Sequence, residues 1–120
     1  MAVTESAARF FLTRRAALDL RSIHARSRRE WGAEVADRYI ADLYAAMRNA
    51  AADPQAGRPR QHRSQPFLMV AAQRHFIIYD VIPQGIAVLT LQHQVRDIER
   101  LIGELTPAFL AEVDRLKRKT

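Results

Sequence analysis

The chain has 120 residues, of which 48% are hydrophobic, so it can bury one core and has little room for a second domain. It contains no cysteine, which excludes disulfides, thiolate metal sites and thiol catalysis. The net charge of +6 favours an anionic partner, and all but two of the 19 cations are arginines, which bind phosphate or carboxylate but are poor general bases.

The first 52 residues predict a short strand followed by two helices. Residues 8–12 form an apolar run that indicates a strand, and Thr13 follows as a candidate N-cap for the first helix. The second helix is predicted from about Glu30 to Ala52. Its apolar residues recur every four positions and are expected to pack: Trp31, Val35, Tyr39, Leu43 and Met47. Because the junction is short, the two helices should form an antiparallel hairpin.

Residues 54–66 predict a basic loop. They combine three prolines with Arg58, Arg60 and Arg63 and contain almost no apolar residue. A solvated loop explains this composition, but three arginines in an already basic domain also make a plausible anion contact.

Three apolar runs then predict an antiparallel meander. FLMVAAQ and RHFIIYDV should form a hairpin that turns near Gln73 and Arg74. IAVLTLQH follows the turn Pro83-Gln84-Gly85 and should be the last strand. These runs are nearly continuous in apolar residues, so helices are expected to cover much of one face of the sheet.

The C-terminal quarter predicts two helices. Asp97 can cap the first, and Thr106-Pro107 is a second start signal, for an amphipathic helix over 106–119. The order β-α-α-β-β-β-α-α predicts a single α+β domain over 1–120, in which an N-terminal strand and an αα-hairpin pack on a small antiparallel sheet.

This order, with these residues in it, resembles the ParE/RelE family of toxins from bacterial toxin–antitoxin pairs and is closest to the ParE branch. The resemblance covers a core of about residues 9 to 102 and leaves the helix over 106–119 without a counterpart. The matching residues include Leu12-Thr13, Asp19-Leu20, Trp31-Gly32, Tyr39, Pro54, Gly57-Arg58, Arg74-His75, Tyr79, His93 and Arg96-Asp97.

The resemblance implies two different activities on one fold, and both imply a cytoplasmic protein with a cognate antitoxin. ParE-like members poison DNA gyrase by binding, whereas RelE-like members cut messenger RNA on the ribosome. A basic nucleic-acid-binding module is a third reading, supported by charge but by no motif. No cofactor, metal or membrane span is expected, and the helix over 106–119 could pack on its own domain or mediate homo-oligomers.

Candidate site residues follow from these readings. A nuclease needs groups that exchange protons, and His75, Tyr79 and His93 are the candidates, although the lysines and C-terminal tyrosine of the RelE-like pattern are absent. Thr13 and Asp97 are expected to cap helices, and a histidine at a strand end such as His93 is more often structural than catalytic. The candidates for binding the target or an anion are Arg58, Arg60, Arg63, Arg74 and Arg96.

Overall fold

The computed structural model describes residues 9–62, 65–94 and 107–118, which form three α-helices, one 3-10 turn and a five-stranded sheet. The predicted α+β fold is confirmed. In chain order the elements are β1 (Arg9–Leu12), α1 (Arg14–Trp31), α2 (Ala33–Ala52), the 3-10 turn (Pro54–Ala56), β2 (Arg58–His62), β3 (Gln65–Ala72), β4 (His75–Ile82), β5 (Gly85–His93) and α3 (Pro107–Arg118). The predicted helix that begins at Asp97 lies outside the described residues.

The sheet has the order β1-β5-β4-β3-β2, with β1 parallel to β5 and the other neighbours antiparallel. Helices α1 and α2 cover one face, where Leu20, Leu43 and Met47 pack against Ile77 and Val88. None of the described helices is long and apolar enough to cross a membrane.

The prediction of a loop over residues 54–66 was wrong for Arg58–His62, which form β2 at the edge of the sheet. An edge strand tolerates Pro59, because a residue there can lack an N–H without breaking a ladder between two strands. Pairing with β3 therefore makes a strand out of a polar segment that has little strand propensity of its own.

The junction between α1 and α2 also differs from the prediction. The second helix does not begin near Glu30: α1 continues to Trp31, and Gly32 separates the helices with a φ of 92°, which glycine adopts at little cost. Trp31 therefore belongs to α1 and is not a packing residue of α2. Its side chain is 63% exposed, and that of Val35 is 41% exposed.

Two side chains of α1 continue the hydrogen bonding of β5 beyond the end of β1. Leu12 lies opposite Val88, and past this point no described strand flanks that side of β5. The Thr13 hydroxyl, which caps α1 by accepting the N–H of Ala16, donates to the Leu89 carbonyl at 2.8 Å.

Farther along α1, the Asp19 carboxylate accepts the N–H of Leu91 at 3.1 Å and the hydroxyl of Thr90. Burial raises the pKa of Asp19, and both hydrogen bonds oppose that rise. Helix α1 thus satisfies backbone groups of β5 that a neighbouring strand would otherwise pair.

Helix α3 covers the second face of the sheet with an apolar side that includes Val113, Phe109, Leu110 and Leu116. The Glu112 carboxylate accepts the N–H of Arg14, the first residue of α1, at 2.9 Å, and Lys117 lies 2.7 Å from Asp80 of β4. A carboxylate is well placed there, because the N-terminus of a helix carries a partial positive charge.

We expect Val113→Asp to lower the free energy of unfolding by about 3 kcal/mol, because it buries an unpaired carboxylate among apolar side chains. Urea denaturation followed by circular dichroism measures the change. Ala111→Asp is the matched control, since Ala111 lies on the exposed side of the same helix. Equal destabilisation by the two variants would contradict the packing of α3 on the sheet.

Candidate functional site

A groove of about 920 Å³ opens beside the α1–α2 junction, and we call it the junction groove. The C-terminal half of α1, the start of α2, the β3–β4 turn and the end of β5 form its walls. The side chains that matter most in it are Arg26, Arg29, Trp31, Tyr39, Arg74, His75 and His93. Two predicted proton carriers and one predicted anion-binding residue therefore meet in one place.

Tyr39 of α2 holds the β3–β4 turn against the helices. Its hydroxyl accepts the N–H of Arg74 at 3.1 Å and lies 2.6 Å from Nδ1 of His75. Because that hydroxyl already accepts one hydrogen bond, its own proton is available to Nδ1, which favours a neutral His75 protonated at Nε2. Gln73 has a φ of 55° in this turn and donates to Asp42 of α2 at 2.8 Å.

His75 and His93 lie directly opposite each other on β4 and β5, with ring centroids 5.3 Å apart. Burial lowers the pKa of His75 to about 4, and positive charge on His93 and Arg26 lowers it further. The ring is consequently neutral at pH 7, so it can accept a proton only weakly and contributes no positive charge to the groove.

Tyr79 does not belong to this site. Its side chain is fully buried, and its hydroxyl donates to the Pro54 carbonyl at 2.6 Å. Burial raises the pKa of Tyr79. A methyl group at Gly57 would overlap the Tyr79 hydroxyl, which explains a glycine at that position. The geometry makes Tyr79 a support for the turn before β2 rather than a group that meets a substrate.

The predicted arginines do not converge. Arg74 lines the junction groove, whereas Arg58 begins edge strand β2 and is not among the groove residues. Arg60 lies in β2, and Arg63, Arg96 and Asp97 lie outside the described residues.

Several groove residues were missed in the sequence analysis. Arg26 and Arg29 are three residues apart, a spacing that places both on one face of a helix, and this signal was available. The exposure of Trp31 was not, because its four-residue spacing to Val35 indicated packing.

A second groove of about 540 Å³ runs along the helical hairpin, and we call it the hairpin groove. Its lining is mainly apolar: Leu12, Ala17, Leu20, Ile40 and Tyr44, with Arg21 and His24. His24 also lies 2.8 Å from Asp37 across the two helices. Within the described residues, no group of three or more acidic or histidine side chains could hold a metal ion.

We expect the free energy of unfolding to fall by about 1 to 2 kcal/mol between pH 6.5 and pH 4. An unfolded histidine binds its proton near pH 6.5, whereas folded His75 binds it only near pH 4, so the unfolded state holds more protons in this window. The full linkage value is larger, but the half-buried ring is partly screened by water. Urea titrations at both pH values, with His75→Gln as comparison, measure the effect. An equal loss in the variant would assign it to other groups.

Tyr79→Phe should lower the free energy of unfolding by about 1 kcal/mol, because the buried Pro54 carbonyl loses its donor. Thermal denaturation measures the change. Tyr44→Phe is the control, since Tyr44 packs its ring against Phe10 and its hydroxyl makes no hydrogen bond within the described residues. If Tyr79→Phe were as stable as wild type, the Pro54 contact would have no structural weight.

Comparisons with known proteins agree with this fold and with each other. Residues 10–98 match the model of the ParE toxin of the type II toxin–antitoxin system parDE. Toxin ParE1 from Mycobacterium tuberculosis, in strains CDC 1551 / Oshkosh and ATCC 25618 / H37Rv, is 32% identical over 71 residues, which are 58% of this chain and 72% of each relative.

A solved chain of the chromosomal ParDE TA system from P. aeruginosa superposes with a TM-score of 0.62 at 18% identity, covering 73% of this chain and 97% of that one. This likeness supports the fold, and α3 lies beyond the residues that the family model matches. Since the family model covers most of the sheet and the whole helical hairpin, the chain belongs to the ParE family of type II toxin–antitoxin toxins.

Proposed function

We propose that this ParE-type toxin acts in the cytoplasm by binding and inhibiting DNA gyrase, and that a cognate antitoxin neutralises it. The match to the ParE family over residues 10–98 is the observation that carries this proposal. The described part of the chain contributes one lysine, Lys117, and it is paired with Asp80 on the far face of the sheet. Inhibition by binding requires none of the proton transfers that such a chain performs poorly.

The state of the predicted nuclease residues also favours binding over cleavage. Attack by a 2′-hydroxyl on phosphate needs a base, an acid and a cation close together. Tyr79 is buried with its hydroxyl bound to Pro54, and His75 has a low pKa and one ring nitrogen engaged by Tyr39. Neither residue is matched to proton exchange at pH 7.

The hairpin groove supports binding of the antitoxin. Its apolar walls suit the apolar side of a segment that folds on binding, and Arg21 at its rim suits acidic residues on the same segment. Helix α3 uses its apolar side within the domain, so that side is not available for pairing with a second copy.

A ribosome-dependent endoribonuclease remains the second candidate. The observation in its favour is that His75, His93 and Arg74 share one open groove. A nuclease built there would depend on the two imidazoles, with the arginines holding the phosphate.

Purified toxin should inhibit supercoiling by gyrase and trap cleaved DNA, while messenger RNA on programmed ribosomes stays intact. The two assays run side by side at equal toxin concentrations. His75→Gln and Tyr79→Phe should keep at least about half of the gyrase inhibition, because neither residue serves chemistry in this proposal.

Arg58→Ala in exposed edge strand β2 tests the arginines first assigned to the target, and Arg48→Ala on α2 is the charge-matched control. A greater loss of inhibition in the β2 variant would assign that strand to target binding. Cuts in messenger RNA that disappear in His75→Gln, with gyrase unaffected, would overturn the proposal in favour of the nuclease.

A further inference from the structure

We propose that the junction groove binds a single-stranded phosphodiester chain, with Arg26, Arg29 and Arg74 on the phosphates and Trp31 against a base. This interaction goes beyond gyrase inhibition and does not depend on it. The hairpin groove, which is mainly apolar, does not take part.

The positive charge of the groove comes from both walls. Arg26 and Arg29 project from one face of α1, and Arg74 approaches from the β3–β4 turn; all three side chains are exposed. Of the two acidic residues in the lining, Asp19 is committed to Thr90 and Leu91. Glu30 alone of these two is left to offset three guanidinium groups, which keep their charge at any working pH.

Trp31 supplies an aromatic surface beside these cations. It ends α1 next to Gly32, and its indole is 63% exposed at the rim of the groove. Each stacked base contributes favourably whatever its identity, because every base has a π-face. A positive groove with an accessible aromatic ring is the arrangement by which proteins bind single strands without sequence preference.

The shape and polarity of the groove argue for a single strand over its competitors. A duplex presents its bases inside a cylinder too wide for a concave space of about 920 Å³ and offers Trp31 nothing to stack on. Most lining residues are polar or charged, including Ser22, Ser27 and Gln73, which suits phosphate and base edges better than an apolar peptide segment.

Fluorescence anisotropy with labelled oligonucleotides of about 12 nucleotides, oligo-dT and oligo-rU, tests the proposal in the full chain. Wild-type protein should bind, with an affinity that falls as salt rises. Arg26→Ala/Arg29→Ala should weaken binding at least about tenfold and reduce the salt slope by about two, one for each lost phosphate contact. Trp31→Ala should weaken binding about tenfold with the slope unchanged.

The matched control is Arg38→Ala/Arg48→Ala, which removes two exposed arginines of α2 that do not line the groove. It should weaken binding less than about threefold, because it lowers net charge without removing a contact. All substituted residues are exposed, so circular dichroism should report an unchanged fold. A preference for oligo-dT would name DNA as the natural strand, and a preference for oligo-rU would name RNA; either supports the proposal.

Three results would overturn it. Wild-type protein could fail to bind either strand, or the control could lose as much affinity as the groove variants, which would reduce the effect to net charge. A glutamate-rich peptide could instead bind more tightly than the oligonucleotides and lose its binding in the same variants, which would assign the groove to a protein partner. The gyrase assay is read separately: groove variants that lose the strand but still inhibit gyrase support this inference and separate it from toxicity, whereas wild-type protein that binds the strand without inhibiting gyrase refutes only the proposed function.

Discussion

The architecture depends on how β5 satisfies its backbone after β1 ends. One edge of β5 pairs with β4 along its whole length, but the other meets β1 only up to Val88. Thr13 and Asp19 then act as substitutes for a strand, and because both lie on α1 they fix that helix against the sheet. A register irregularity between Ile78 and Tyr79 of β4, opposite Val88 and Thr90, occurs at this same level of the sheet. The position of α1 in turn sets α2 and the wall of the junction groove.

Because α1 carries both these anchors and the arginines of the groove, the site is built on a rigid element. Asp19 faces inward to β5, while Arg26 and Arg29 lie about two turns farther along and remain exposed. Tyr39 gives the opposite wall a similar support by holding Arg74 and His75. Backbone and buried polar contacts therefore position the groove, and its exposed side chains remain available to a ligand.

The parts of the fold that depend on local signals could be predicted from the sequence. Thr13, the apolar repeat from Tyr39 to Met47 and the turn at Gln73 were identified because each residue acts on its own neighbours. Edge strand β2 could not be predicted, since its polar residues become a strand only by pairing with β3. The junction groove was also hidden, because its residues come from four elements, and helical spacing could not reveal that Gly32 separates Trp31 from α2.

The distribution of lysine has a consequence for how the surface charge can be regulated. Lys117 lies on α3, across the sheet from the helical hairpin, and the cations of the junction groove are all arginine. Acetylation of lysine therefore cannot neutralise the groove, and methylation of arginine would leave its charge in place. The same asymmetry is useful at the bench: amine-directed coupling through Lys117 would immobilise the protein by α3 and leave the junction groove facing the solution.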